Sequence, residues 1–279
     1  MRRLLTALVA TGSALLLAAC GTDPTAASAG ADGGPDRPMG HIHGIAVDPD
    51  AGHVVVAAHG GLYVVGDDGP TPVGPSIDLM GFTIGADGAY LASGHPGPGT
   101  DLDQPVGLVR STDGGRTWAA VSRGGESDFH GLTAAEGLVA GFDGELRVSA
   151  DGREWETRAV PSAPHVLAAA PSGARLLATT ADGLLATDDR GASWRTVDTP
   201  ELLVAVDWAD DDTVVGVGLT GRIVVSEDAG ATWASGPREL GELSAVHAHR
   251  DGTSLVVLVV ADEGVLRTTD QGATSTRLW

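Results

Sequence analysis

The chain contains no lysine, and cysteine, tyrosine and phenylalanine are scarce, at one, two and three residues in 279. A single cysteine rules out an internal disulfide and any Cys-ligated zinc site. Basic charge is also sparse: 17 Arg face 37 Asp and Glu, a formal net charge of −20. Such a surface repels nucleic acid and anionic headgroups, so no nucleic-acid partner is expected. Apolar runs with a helical period are missing as well, which points to an all-β body.

The one cysteine has a telling position. Arg2 and Arg3 precede an uncharged apolar run, Leu4 to Ala19, which is short for a bilayer span and ends in small residues. That is the pattern of a secretory leader. Leu17-Ala18-Ala19-Cys20-Gly21 resembles the bacterial lipobox, which implies lipidation of Cys20 after cleavage. The expected organisation is a signal peptide over 1–19, a lipidated Cys20 with a flexible Gly/Ala/Ser/Thr/Pro/Asp tether over 20–38, and a folded body over 39–279. The protein is then exported and held on the extracytoplasmic side of the cell membrane by the Cys20 lipid, as a monomer.

The fold is read from an internal repeat. Ser/Thr-x-Asp-x-Gly-x-Thr/Ser-Trp is complete at Ser111–Trp118 and Ser226–Trp233, and Thr187–Trp194 keeps it with Ser193 in the Thr place. Ser149–Trp155 is one residue short, and Thr268–Gly272 keeps the turn without the tryptophan. The aspartates Asp113, Asp151, Asp189, Asp228 and Asp270 are 38, 38, 39 and 42 residues apart, and a degenerate copy fits at Asp68. This is the period of a four-stranded propeller blade. The strand pattern between boxes agrees, so the expected fold is an all-β, six-bladed β-propeller; seven blades would need residues that are not there. The repeat resembles the Asp-box (BNR) motif of sialidase-, sortilin- and photosystem-assembly-factor-like propellers. That resemblance implies a structural turn between third and fourth strands, with Trp118, Trp155, Trp194 and Trp233 packed between sheets.

Residues outside the repeat are more informative about function. Superposing the blades aligns His43 with Met80, His130, His165, Leu203 and Ser244 at the start of the innermost strand. Two residues earlier, His41 aligns with Asp78, Asp128, Ala163, Glu201 and Glu242. In the turn after the second strand, His59 aligns with His95, Phe142, Ala181, Leu219 and Asp262. These positions share one face around the central channel, so His41, His43, His59, His95 and His130, with Met80 and Asp128, should converge from blades one to three. Imidazole suits first-row transition metals, and a thioether beside it shifts the choice toward copper. A copper or zinc site is therefore expected, with carboxylates behind the rings. A channel-lining, hydrogen-bonding role for the same histidines is the structural alternative.

His41-Ile42-His43-Gly44, Ala58-His59-Gly60-Gly61, Met80-Gly81-Phe82-Thr83, Ser93-Gly94-His95-Pro96 and Asp128-Phe129-His130-Gly131 resemble a family of bacterial lipoproteins that carries a glycosyl-hydrolase name. The name implies hydrolysis, but fold does not fix function. The arginine triad and Tyr/Glu pair of a sialidase-like site have no counterpart, since no arginine lies between Arg37 and Arg110 and Tyr63 follows a strand pattern. Another glycosidase could draw on Asp78, Asp128, Glu201 and Glu242, aligned as one ring. Three readings result: a binding module with a His-rich metal site, a glycoside hydrolase using the acidic ring on a glycan, and a scaffold propeller docking a protein. The long insertion from His95 to Pro105 should overhang the site face and gate a pocket.

Overall fold

The computed structural model describes residues 39–261 and 264–279. The leader, Cys20 and the tether, and the turn residue Asp262, lie outside them. Blade one is β1 (Ile42–Val47), β2 (Val54–Ala58), β3 (Gly61–Gly66) and β4 (Gly69–Val73). Blade two is β5 (Asp78–Ile84), β6 (Tyr90–His95), β7 (Leu108–Ser111) and β8 (Ala119–Ser122). Blade three is β9 (Gly131–Ala135), β10 (Leu138–Phe142), β11 (Leu146–Ser149) and β12 (Glu156–Arg158). Blade four is β13 (Pro164–Ala169), β14 (Leu176–Thr180), β15 (Gly183–Thr187) and β16 (Arg195–Val197). Blade five is β17 (Leu203–Trp208), β18 (Val214–Gly218), β19 (Arg222–Ser226) and β20 (Ala234–Glu239). Blade six is β21 (Leu243–Asp251), β22 (Ser254–Ala261), β23 (Gly264–Thr268) and β24 (Thr276–Arg277). Each blade is an antiparallel meander in chain order, and the six make a β-propeller.

Burial explains the sequence of each strand. Second strands are sandwiched between neighbouring sheets, so they read as continuous apolar runs: Val-Val-Gly-Val-Gly in β18 is buried throughout. Fourth strands are outer edges and carry polar residues or proline, such as Pro70 and Pro72 in β4, where a missing ladder donor costs little. The core is divided among the six interfaces. Ala46, Val55 and Leu62 of blade one meet Leu79, Phe82 and Val109 of blade two. The ring closes in the same manner: Ile45 and Val56 of blade one pack on Leu258, Val260 and Val265 of blade six, with Leu278 and Trp279 alongside. Blade six supplies all four of its own strands, so no strand is exchanged at the closure.

The boxes form tight turns at the blade rim. In blade two the Asp113 carboxylate accepts the Thr117 N–H at 2.9 Å and the Thr117 hydroxyl at 2.7 Å, while Ser111 Oγ accepts the Gly115 N–H at 2.9 Å. Blades four, five and six repeat this around Asp189, Asp228 and Asp270. The shorter box of blade three lacks the hydroxyl partner, and Asp151 accepts only backbone N–H groups and Ser149. The turn also fastens blade to blade. Gly115 has φ +84, and a Cβ there would lie 2.2 Å from Leu62 Cδ2 of the preceding blade. Each box tryptophan packs backwards in the same sense; Trp155 lies on Phe129 at 5.1 Å and donates its indole N–H to Ser122 Oγ at 3.0 Å.

Two outcomes follow for stability. Gly115→Ala combines left-handed strain with a clash into a filled interface, and should lower stability by about 2 kcal/mol or more; Trp155→Ala should cost about 3 kcal/mol. Urea unfolding of both variants checks this, and unchanged midpoints would contradict it. The hydroxyl and backbone donors around Asp113, Asp189 and Asp228 hold these carboxyls down at about 2, from an ordinary 3.8. A depressed carboxyl contributes stability above its unfolded pKa and loses it as pH falls through the folded one. The melting temperature should thus hold above about pH 4 and drop between about pH 4 and pH 2, less steeply in Asp113→Asn.

Candidate functional site

A backbone irregularity fixes what the innermost strands present at one mouth of the channel. In blades one, two, four, five and six the inner ladder skips one residue near its start: His43, Met80, His165, Val204 and Ser244. A bulged residue leaves the ladder and its side chain is re-aimed. His130 holds the matching place before β9, its N–H donated to the Phe142 carbonyl at 3.1 Å. His43, His130, His165 and Ser244 from this ring line a channel of about 330 Å³ whose walls include Phe82, Leu132 and Trp208.

Two corrections to the aligned positions come from the ladders. In blade five the bulge is Val204, and the Leu219 N–H pairs with the Leu202 carbonyl. Leu202, not Glu201, therefore occupies the ring of His41 and Asp78, and Glu201 falls one residue outside the aligned acidic ring. Its carboxylate caps the next turn instead, accepting from the Thr220 N–H at 3.1 Å and from the Thr220 hydroxyl. In blade three Phe142 remains in the ladder opposite Gly131, so it is not the turn residue. Glu242 is exposed at the start of blade six.

The histidines of blades one to three gather in two groups, each spanning a blade boundary. In the first, His59 of blade one meets Asp78 of blade two, Nδ1 to Oδ1 at 2.7 Å. The His59 ring stands edge-on to His43 at 4.7 Å and to His41 at 5.7 Å between centroids. Among the described residues, His43, His59 and Asp78 are the trio of potential ligands whose donor atoms all lie within 4.8 Å of one another. In the second group, Asp128 Oδ2 lies 3.3 Å from His95 Nε2 of blade two and 2.9 Å from His130 Nε2. Met80 is the bulge residue of β5.

The electrostatics suit a neutral ligand set. Burial, then the neighbouring His59 ring, hold the His43 imidazole below its ordinary pKa, against the opposing pull of Asp78. His43 Nε2, His95 Nδ1 and Asp128 Oδ1 are buried and have no hydrogen-bond partner among the described residues. Buried polar atoms are ordinarily paired. Of these three atoms, His43 Nε2 belongs to the trio and is a donor type that zinc and copper take.

The insertion after His95 is tied down at its far end. The Val106 N–H bonds to Gly94 O at 2.9 Å, Pro105 O accepts the Gly125 N–H at 2.8 Å, and the Gly107 N–H reaches Ser127 O at 3.2 Å. Leu102 packs on the core between blades one and two.

One pair escaped the sequence reading. Three residues beyond the bulge ring, Asp207 and His247 hold equivalent places on adjacent inner strands, Oδ2 to Nδ1 at 3.0 Å, and both line the channel. His249 stacks on His247 at 5.4 Å. The signal was the i, i+2 spacing of His247 and His249, which puts both on one strand face.

The sequence matches no family model and no curated protein. Solved structures with the same architecture exist. A gluconolactonase from Xanthomonas campestris superposes with a TM-score of 0.59 at 14% identity, over 80% of this chain and 84% of that one. YCF48 bound to a D1 peptide gives 0.53 at 16%, over 86% and 82%. An ancestral GH74 enzyme gives 0.57 at 13%, over 88% of this chain but 40% of that one. At such identities the likeness extends to the fold alone.

Proposed function

We propose that this chain is an extracytoplasmic binding propeller, anchored through a lipidated Cys20, that holds a first-row transition metal, zinc or copper, at the channel mouth of blades one to three. The observation that carries the reading is the trio His43, His59 and Asp78, with donor atoms within 4.8 Å of one another and His43 Nε2 buried without a partner. Two imidazoles and a carboxylate with further nitrogen donors nearby make a set that zinc and copper favour over magnesium or calcium. The His41 ring lies edge-on to His59 as a further imidazole nearby.

The hydrolase reading draws on the gluconolactonase and GH74 neighbours, and the scaffold reading on the peptide-bound one. Both are second to metal binding for a physical reason. Glycoside cleavage needs two carboxyls free to act on one bond, whereas Asp78 and Asp128 are committed to imidazoles and Glu201 to Thr220. The channel mouth is concave and imidazole-rich, unlike a flat docking face.

Equilibrium dialysis of the purified protein against zinc(II) and copper(II), followed by metal analysis, tests the reading. Wild type should retain metal stoichiometrically. The double variant His43→Ala, His59→Ala should lose a full equivalent with an unchanged β-rich circular dichroism spectrum. A wild-type protein that retains neither metal overturns the proposal.

A further inference from the structure

Below the bulge ring the channel carries a second tier of side chains. Three residues further along the inner strands stand Ala46, Thr83, Thr133, Ala168, Asp207 and His247. Four of these are polar, and Thr83, Thr133, Asp207 and His247 all line the channel of about 330 Å³. In a closed ring of six blades, blade two stands opposite blade five and blade three opposite blade six. The Asp207–His247 pair therefore stands across the channel from Thr83 and Thr133.

The pair is arranged to hold one tautomer. Asp207 Oδ1 accepts the Trp208 N–H at 2.9 Å, while Oδ2 accepts the Ala248 N–H at 2.9 Å and lies 3.0 Å from His247 Nδ1. An ionised carboxylate can only accept, so the Nδ1 proton sits between the two groups. The lone pair of the neutral ring then falls on Nε2. His249 stacks on this ring at 5.4 Å, and 21% of the His247 side chain stays exposed. In blade three, Thr133 Oγ accepts the Ala169 N–H at 3.0 Å, which leaves its hydroxyl proton to donate. The tier thus offers an acceptor on one wall and a hydroxyl donor on the other, and Phe82, Leu132 and Leu167 line the same space.

We infer that the channel is a binding site for a small, neutral, flat molecule of the phenol class, held through His247 Nε2. The phenolic O–H donates to Nε2, an acceptor at the far end of the molecule takes the Thr133 proton, and the ring lies on apolar wall. Neutrality follows from the lining. Among the described residues no arginine lines the channel, and its one carboxylate is already engaged by three donors. A charged ligand would be desolvated there without compensation. A sugar would bring more hydroxyls than this tier can pair. The site uses neither His59 nor Asp78, so it stands apart from metal binding.

Calorimetric titration of the chelator-treated protein near neutral pH tests this, with 4-hydroxybenzamide and 4-methoxybenzamide as probes. The first carries the donor and a carbonyl acceptor; in the second the donor is methylated. 4-Hydroxybenzamide should bind one per chain, at least about tenfold tighter than its ether. His247→Phe keeps a ring against His249 but removes the acceptor, so that preference should disappear while the β-rich circular dichroism spectrum is kept. Asp207→Asn is the sharper variant. Its amide donates to Nδ1, the ring proton moves to Nε2, and the order of the two probes should level or reverse. A role confined to packing would leave the ratio unchanged. Wild type that binds neither probe, or both equally, overturns the inference, as does an undiminished preference in His247→Phe. Where a variant fails to fold, the wild-type ratio still decides. All of these outcomes are independent of zinc and copper, which the chelator removes.

Discussion

Close approach of each sheet to the one before it is the constraint on which the molecule depends. The box turn brings a glycine against a leucine of the preceding blade, as Gly115 against Leu62, and sets a tryptophan behind it. In blades two and three this approach is close enough that a Cβ on Gly115 or Gly152 would clash with a leucine of the blade before. The ring closes between blades six and one by apolar packing without a shared strand. The same approach controls the channel mouth. His59 reaches Asp78 and His95 reaches Asp128 only because adjacent blades meet at a fixed distance.

Much of this was legible in the sequence, and the exceptions have physical causes. The boxes were readable because their chemistry is local: Asp113 bonds to Ser111 and Thr117 within seven residues of chain. Blade number and inner-strand starts followed from the period. Blade five was misaligned by one residue because its strand start, Leu202-Leu203-Val204, is uniformly apolar and has no polar residue to mark which position is the bulge. Blade three was misread at Phe142 because its inner ladder runs without a bulge and its turn, Asp143 to Glu145, is one residue longer than that of blade one, so Phe142 stays in the ladder. The convergence of histidines was foreseeable from register, but their division into two groups was not. That division depends on which carboxylate each ring faces across a blade boundary, and alignment within repeats carries no such information.

The bulge ring varies from blade to blade without disturbing the scaffold. The bulge ring is free of ladder duties, so its residues can vary: imidazole in blades one, three and four, thioether in two, valine in five, serine in six. Polar groups accumulate on one side of the ring, leaving blades four to six mostly plain. His43 is held neutral by burial and by His59, which keeps a lone pair available near neutral pH. The pair Asp207 and His247, deeper in the same channel, shows that the wall can hold a second polar contact in otherwise apolar surroundings.

The proposed reading makes His43, with its orphaned Nε2, and its neighbours His59 and Asp78 metal ligands rather than channel lining. Anomalous diffraction from crystals of the protein grown with zinc, measured on both sides of the zinc edge, tests it most directly. The account predicts a peak at about 2.0–2.1 Å from nitrogens of His43 and His59 and from an Asp78 oxygen. A mouth without such a peak at full zinc occupancy elsewhere in the crystal, with the His59–Asp78 hydrogen bond intact, would contradict it.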